Sequence, residues 1–164
     1  MNILVISDSH GNTSPIKHLL DAFQGQIEAV IHLGDHAQDM TRFIPKYQEN
    51  MAIHAVNGNN SLPIDGCSDR LISIGGKRFF ITHGHKYQVK KWMDRIIYHA
   101  HEIEAEVCLF GHTHVPVLFH DKSILFMNPG SLSFPYPGEK PSYGLLRIEE
   151  ESGAVTGKLM EYKH

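Results

Sequence analysis

Three short apolar runs, each followed at once by a polar cluster, constrain this chain more than anything else in it. "NILVIS" (2–7), "AVIHLG" (29–34) and "MAIHAV" (51–56) are near-continuous hydrophobic stretches with β-branched residues. Such runs read as strands buried on both faces. After the first, Ser14 and Pro15 open a helical pattern carried by Ile16, Leu19, Leu20 and Phe23. Residues 37–48 give a weaker helical pattern broken by Pro45. Strands alternating with helices predict a parallel βαβ arrangement.

The pattern then changes. Residues 70–74 and 77–84 are alternating runs joined by Gly75-Gly76, a hairpin signature. A second hairpin is predicted over 115–128, turning at Asp121-Lys122, and a third pair over 143–162, turning at 151–153. "VKKWMDRIIYHAHEI" (89–103) reads as an amphipathic helix with Trp92, Ile96 and Ile97 toward the core, and "VCLFGH" (107–112) as another buried strand. The fold class is therefore α/β (α+β mixed), with mixed sheets. No linker, repeat or low-complexity segment interrupts it, so one domain over residues 1–164 is expected.

Composition excludes several classes. A net charge of −3 gives no basic field for a long nucleic-acid duplex. No run approaches the roughly 18 apolar residues of a membrane span. The start, "MNILVISDSHGN", lacks a basic region and a cleavage site, so it is not read as a signal peptide. Cys67 and Cys108 sit in unrelated contexts, and a reducing cytoplasm is the simplest compartment. The thirteen histidines are the outlier. Histidine titrates near neutrality and is the commonest metal ligand.

Histidines and acids gather where the apolar runs stop: Asp8 and His10, Gly34-Asp35, Gly58-Asn59, His83-Gly84-His85, and Gly111-His112-Thr113-His114. Ligands in open α/β sheets bind outside the carboxyl ends of the strands. A mixed carboxylate, amide and imidazole set without cysteine suits Mn, Fe, Co, Ni or Zn rather than calcium or a structural zinc. In extended backbone, the spacing of Asp8/His10 and of His112/His114 sends both side chains of a pair the same way, so that each pair can grip one centre. The preceding glycines let the backbone turn sharply and approach closely.

"DSH", "GD", "GN", "H" and "GHTH", in this order, resemble the five signatures of the calcineurin-like metallophosphoesterase superfamily. The length, with "SDSHGN", "THGHKYQV" and "NPGSLSFP", looks like its small bacterial YfcE-type phosphodiesterase branch, over residues 3 to 150. The resemblance implies two mixed β-sheets packed face to face and flanked by helices, a four-layer sandwich. It also implies two divalent transition-metal ions, with manganese first among the candidates. Asp8, His10 and His114 would hold one ion, Asn59, His83 and His112 the other, and Asp35 both. Metals roughly 3.5–4 Å apart clamp the oxygens of an in-line displacement and let a shared water ionise near neutral pH. The implied activity is hydrolysis of a small phosphodiester.

The "GN" signature carries a departure. Larger superfamily members have histidine and then an acidic residue after this asparagine, and the small branch typically has cysteine and aspartate. This chain has Asn60 and Ser61. Asparagine has no useful pKa and is not a general acid. The expectation is therefore a preference for diesters with good leaving groups, with His36 or His85 as candidate replacements for the acid. Asn60 is otherwise a turn residue or a substrate contact, and the same alternatives hold for Asn12. His85 is a substrate-side or supporting residue, and "KYQVKK" (86–91) is a solvated face able to attract an anion. Asn128 to Ser131 reads as a structural turn beside the site, and Tyr136 stands after Pro135 where the family phrase often has arginine.

The competing reading is a non-catalytic protein-interaction module on the same fold, for which the small retromer subunit is a precedent. The intact set of seven ligand types favours an enzyme. Family members often form homo-oligomers, which is a possibility here too.

Overall fold

Two five-stranded mixed sheets lie face to face in the computed structural model, which describes residues 1–60 and 67–163. In chain order the strands are β1 (Asn2–Ile6), β2 (Ala29–His32), β3 (Ala52–Ala55), β4 (Asp69–Ile74) and β5 (Lys77–Thr82). They continue with β6 (Val107–Leu109), β7 (Pro116–Asp121), β8 (Ile124–Pro129), β9 (Ser142–Ile148) and β10 (Val155–Glu161). The described α-helices are α1 (Ser14–Ala22), the single turn α2 (Ile44–Tyr47) and α3 (Asp94–Glu102), with 3-10 turns at Ala37–Met40 and His85–Tyr87.

The first sheet has the order β10-β9-β1-β2-β3, and the second the order β4-β5-β6-β8-β7. Each has a parallel centre: β1, β2 and β3 in one, β5, β6 and β8 in the other. Antiparallel hairpin partners extend both sheets, at β9–β10, β4–β5 and β7–β8. All three predicted hairpins form.

The continuous apolar runs follow from burial on two faces. Ile3 and Val5 enter the core between the sheets, with Ile31, Phe79, Ile81, Leu109 and Met127. Leu4 and Ile6 point the other way, onto Ile16, Leu19 and Leu20 of α1. In the second sheet Phe80, Cys108 and Phe126 pack on Ile96 and Ala100 of α3. The layers therefore run helix, sheet, sheet, helix. Each large apolar side chain so enclosed is stabilised by roughly 1.5–3 kcal/mol.

Two local expectations are corrected. Pro45 does not break a helix; it lies in the first turn of α2, where a missing N–H costs nothing. The helix predicted over 89–103 begins only at Asp94. Gln88 has a left-handed backbone (φ 57°), and its carbonyl receives the N–H groups of both Lys91 and Trp92, closing a turn that does not propagate. Trp92 consequently lies outside the helix, with 62% of its surface exposed, rather than in the core. Among the described residues no disulfide forms, and Cys108 is a buried thiol. No described helix is long and apolar enough to cross a membrane.

Candidate metal centre

The loops marked in the sequence leave the carboxyl ends of five strands: Asp8 and His10 after β1, Asp35 after β2, Asn59 after β3, His83 after β5, and His112 and His114 after β6. Because β1, β2 and β3 are parallel, as are β5 and β6, these ends lie at one edge of each sheet.

The backbone there is strained. Asp8 (φ 54°), His10 (48°), Asp35 (47°), His112 (68°) and His114 (59°) all occupy the left-handed region. Non-glycine residues so held cost roughly 1–3 kcal/mol each and collect at functional sites. This overturns the extended geometry expected for the two alternating pairs. Asp8 and His10 still turn into one cluster, but His112 and His114 diverge, His114 joining Asp8 and His10 while His112 packs on His83.

Asp8, His10, Asp35 and His114 each offer one ligand atom, and these atoms all lie within 4.8 Å of one another. His114 Nε2 is 3.1 Å from Asp8 Oδ1 and 3.4 Å from His10 Nε2. His10 Nε2 is 3.7 Å from Asp35 Oδ2. The second group gathers on the other oxygen of Asp35. His83 Nε2 is 3.4 Å from Asp35 Oδ1 and 3.2 Å from Asn59 Oδ1. The His112 ring packs edge-on to that of His83, with centroids 4.9 Å apart.

The chemistry of these donors fits a cation. Asp8 is fully buried, and its Oδ1 faces His114 Nε2 at 3.1 Å with no other polar partner. His83 Nδ1–H donates to Leu33 O at 2.7 Å, and His114 Nδ1–H donates to Phe134 O. Each bond fixes the tautomer that turns a bare Nε2 lone pair into the cluster. Burial depresses His10, and burial, with His83 and Lys90 alongside, takes His112 down to about 4, which favours the neutral rings that offer lone pairs. Burial works to raise Asp8, but His114, His83 and Ser7 outweigh it and hold the carboxyl below its ordinary value. The same balance, with His83 and Asn60 opposing burial, lowers Asp35. The Asp8 carboxylate raises His114.

Glycines set the close approach, as expected. A Cβ on Gly58 would collide with the Asp35 backbone and carboxylate, and one on Gly111 with Ser7 Oγ and Asp8 Oδ2. The Asn128–Ser131 turn braces the loops. Asn128 Nδ2 donates to Gly111 O at 2.8 Å, and Ser131 Oγ donates to Asp8 O at 2.8 Å.

Asn60 lies on Asp35, donating from its backbone and its side chain. The ring of His85 stands 5.4 Å from His83 and 6.1 Å from His112, with a buried Nδ1 that has no hydrogen-bond partner. Asn12 is exposed, and its Oδ1 accepts from Ser14 N at 3.4 Å, a turn contact before α1. The His36 ring lies 5.7 Å from that of His10. Ser61 lies outside the described residues.

Sequence reasoning missed His32. This fully buried imidazole accepts from Gly34 N–H at Nδ1, so its Nε2–H points at Ser9 Oγ, 3.0 Å away. Ser9 Oγ donates in turn to Asp39 Oδ2 at 2.7 Å, which also accepts from Gly11 N–H at 2.8 Å. The chain of bonds ties the Asp8–His10 loop to β2. The available signal was one imidazole inside an otherwise apolar strand.

Residues 1–151 match the family model described as the calcineurin-like phosphoesterase superfamily domain. The chain is 28% identical over 155 residues to the probable metallophosphoesterase YsnB of Bacillus subtilis, covering 94% of this chain and 89% of the relative. It is 27% identical over 167 residues to the phosphodiesterase YfcE of Escherichia coli, covering 89% and 87%. Among solved structures, a predicted phosphoesterase from Streptococcus pneumoniae aligns at a TM-score of 0.77 with 28% identity, over 97% of each chain. Zinc-complexed Vps29 from Entamoeba histolytica shares the fold, at a TM-score of 0.74 and 23% identity over 98% and 99%.

Proposed function

The chain belongs to the calcineurin-like phosphoesterase superfamily, and from that premise we propose that it is a metal-dependent phosphodiesterase working as one domain over residues 1–164. The observation that carries the reading is the position of Asp35, whose Oδ2 faces His10 at 3.7 Å and whose Oδ1 faces His83 at 3.4 Å. One carboxylate thus stands between two groups of donors. Asp8, His10 and His114 would hold one divalent ion, Asn59, His83 and His112 the other, and Asp35 both. Manganese is the first candidate, followed by nickel, cobalt, iron and zinc. Such ions supply Lewis acidity, which ionises water near neutral pH and neutralises phosphate charge.

The remaining work falls to the chain itself. The strained loops hold the donors in place before any ligand arrives, so little reorganisation is needed at the moment of reaction. The His83 and His114 tautomers, locked by Leu33 O and Phe134 O, keep their lone pairs inward. His85, whose ring neighbours those of His83 and His112, would meet substrate. Asn60 holds Asp35 and brings no transferable proton, so a diester with an acidic leaving group is the preferred substrate. Asn12, at the mouth of the first loop, would at most contact the substrate's periphery. A cytoplasmic enzyme acting on small diesters, with self-association a possibility, completes the reading.

The test is steady-state hydrolysis by metal-stripped protein with Mn²⁺, Ni²⁺, Co²⁺ or Zn²⁺ restored singly. The substrates are bis-p-nitrophenyl phosphate, p-nitrophenyl phosphate and 2′,3′-cyclic nucleotides, with Asp35→Asn as control. Metal-dependent turnover of a diester, lost in the control, supports the enzyme. No turnover with metals bound would overturn it in favour of an interaction module on the same fold.

A further inference from the structure

A cavity of about 660 Å³ opens on the His114 side of the centre, within the range of small-molecule sites. Its walls are apolar and partly aromatic, with Phe110, Met93, Val117 and Tyr136 among them. His114 and Lys90 also line it, so the cavity shares a wall with the candidate ligand shell. The two are also hydrogen-bonded: Tyr136 N–H donates to His114 O at 3.2 Å. The Tyr136 side chain nonetheless remains 58% exposed. An exposed ring beside an apolar hollow is a surface on which a flat group can stack.

We infer that this cavity receives a flat aromatic group, a nucleobase or an aryl ring, carried on one ester arm of the diester whose phosphate sits at the metal centre. The inference rests on the phosphodiesterase reading. Three features argue for an aromatic arm over an alkyl one. Tyr136 offers a ring face, the Met93 thioether suits an aromatic edge, and Phe110 closes the floor. Lys90 supplies the matching charge. It lines the same cavity as His114, so a cation stands beside the side of the centre from which a phosphate would enter.

Calorimetry on the manganese-loaded protein separates the arms. Thymidine 5′-phosphate, phenyl phosphate and ribose 5-phosphate present similar phosphate charge with a base, an aryl ring and no ring. The base-bearing ligand is expected to bind about tenfold tighter than ribose 5-phosphate, as one stacked ring provides. Phenyl phosphate matching it would assign the cavity to any aryl group, and falling short would assign it to a nucleobase. Val117→Trp, which fills the hollow, and Tyr136→Ala, which removes the ring face, should each erase the difference between ring-bearing and ringless ligands. Equal binding of all three ligands, or a preference that survives both variants, overturns the inference. With bis-p-nitrophenyl phosphate turnover intact, that result leaves the phosphodiesterase reading standing. Absence of both phosphate binding and turnover overturns the two together.

Discussion

Asn60 grips Asp35 with both of its nitrogens, backbone N–H to Oδ1 at 2.8 Å and side-chain Nδ2 to Oδ2 at 2.9 Å. Asn60 is thus a holder of the carboxylate proposed to serve both ions. It has no proton to give at any accessible pH. Loss of general-acid help typically costs about 10²–10⁴-fold on a poor leaving group. Turnover of bis-p-nitrophenyl phosphate should therefore exceed that of diphenyl phosphate by far more than in an enzyme with an acid. Asn60→His should narrow that gap and add an alkaline limb to the pH–rate profile, the rate falling as the imidazolium loses its proton. A wild-type profile that already shows such a limb would assign the acid elsewhere, with His36 and His85 the first to replace.

Gly58 sets how closely the third loop approaches the second. A Cβ there has nowhere to go, since both the Asp35 backbone and its carboxylate stand in the way. Gly58→Ala should destabilise the protein by about 1–3 kcal/mol, the usual cost of forcing a methyl into a packed site. It should also weaken metal binding, because Asp35 is what must move. Thermal melting with and without Mn²⁺ reads both effects. A variant that melts and binds like the parent would show that the loop relaxes without disturbing the carboxylate.

Metal removal should itself lower stability. Asp8 is buried with His114 as the one polar partner of its Oδ1, and a buried anion so sparsely compensated is costly. An ion bound only by the folded chain, at a hundred times its Kd, adds about 2.7 kcal/mol. For a chain of 164 residues that corresponds to roughly 5–10 °C in Tm. Chelator-treated protein should show this rise on Mn²⁺ addition, and Asp35→Asn much less of it. An equal rise in both would mean that the stabilising ion sits away from Asp35.

Much of this molecule is legible in its sequence because burial on two faces leaves a strong trace. β1, β2 and β6 read as apolar runs, and the glycine and charged turns announce the three hairpins. The polar clusters were legible by order and residue type. Their geometry was not, because whether His112 and His114 share a centre depends on left-handed φ angles that non-glycine residues adopt only when the surrounding fold imposes them. Trp92 misled for a related reason. Helical spacing was present, but a left-handed Gln88 closed the turn first. His32 left only a weak sign, since one imidazole within an apolar strand says nothing of the serine and aspartate brought to it from other loops.

That imidazole makes an acid-stability prediction separable from the metal. Complete burial takes the His32 pKa down to about 4 from an ordinary 6.5. Between those values the unfolded chain binds a proton that the folded chain refuses, so the stabilisation is full above pH 6.5 and falls as pH drops toward 4. That difference is worth about 3 kcal/mol once pH lies below both values. Burial also lowers His10, His54, His85 and His112, adding in the same direction, while the raised His114 opposes them. The contribution of His32 therefore appears as a difference. His32→Asn keeps an acceptor for Gly34 N–H and removes the titrating ring. Urea unfolding from pH 7.5 to 4.5, with chelator present, should show a shallower fall in stability for the variant than for the parent. The two curves should converge toward acid, the gap closing by 2–3 kcal/mol over the range. Parallel curves would mean that water or a rearranged Ser9 admits the proton to the folded state, and that the bonds from Gly34 through His32 to Ser9 do not hold the ring neutral.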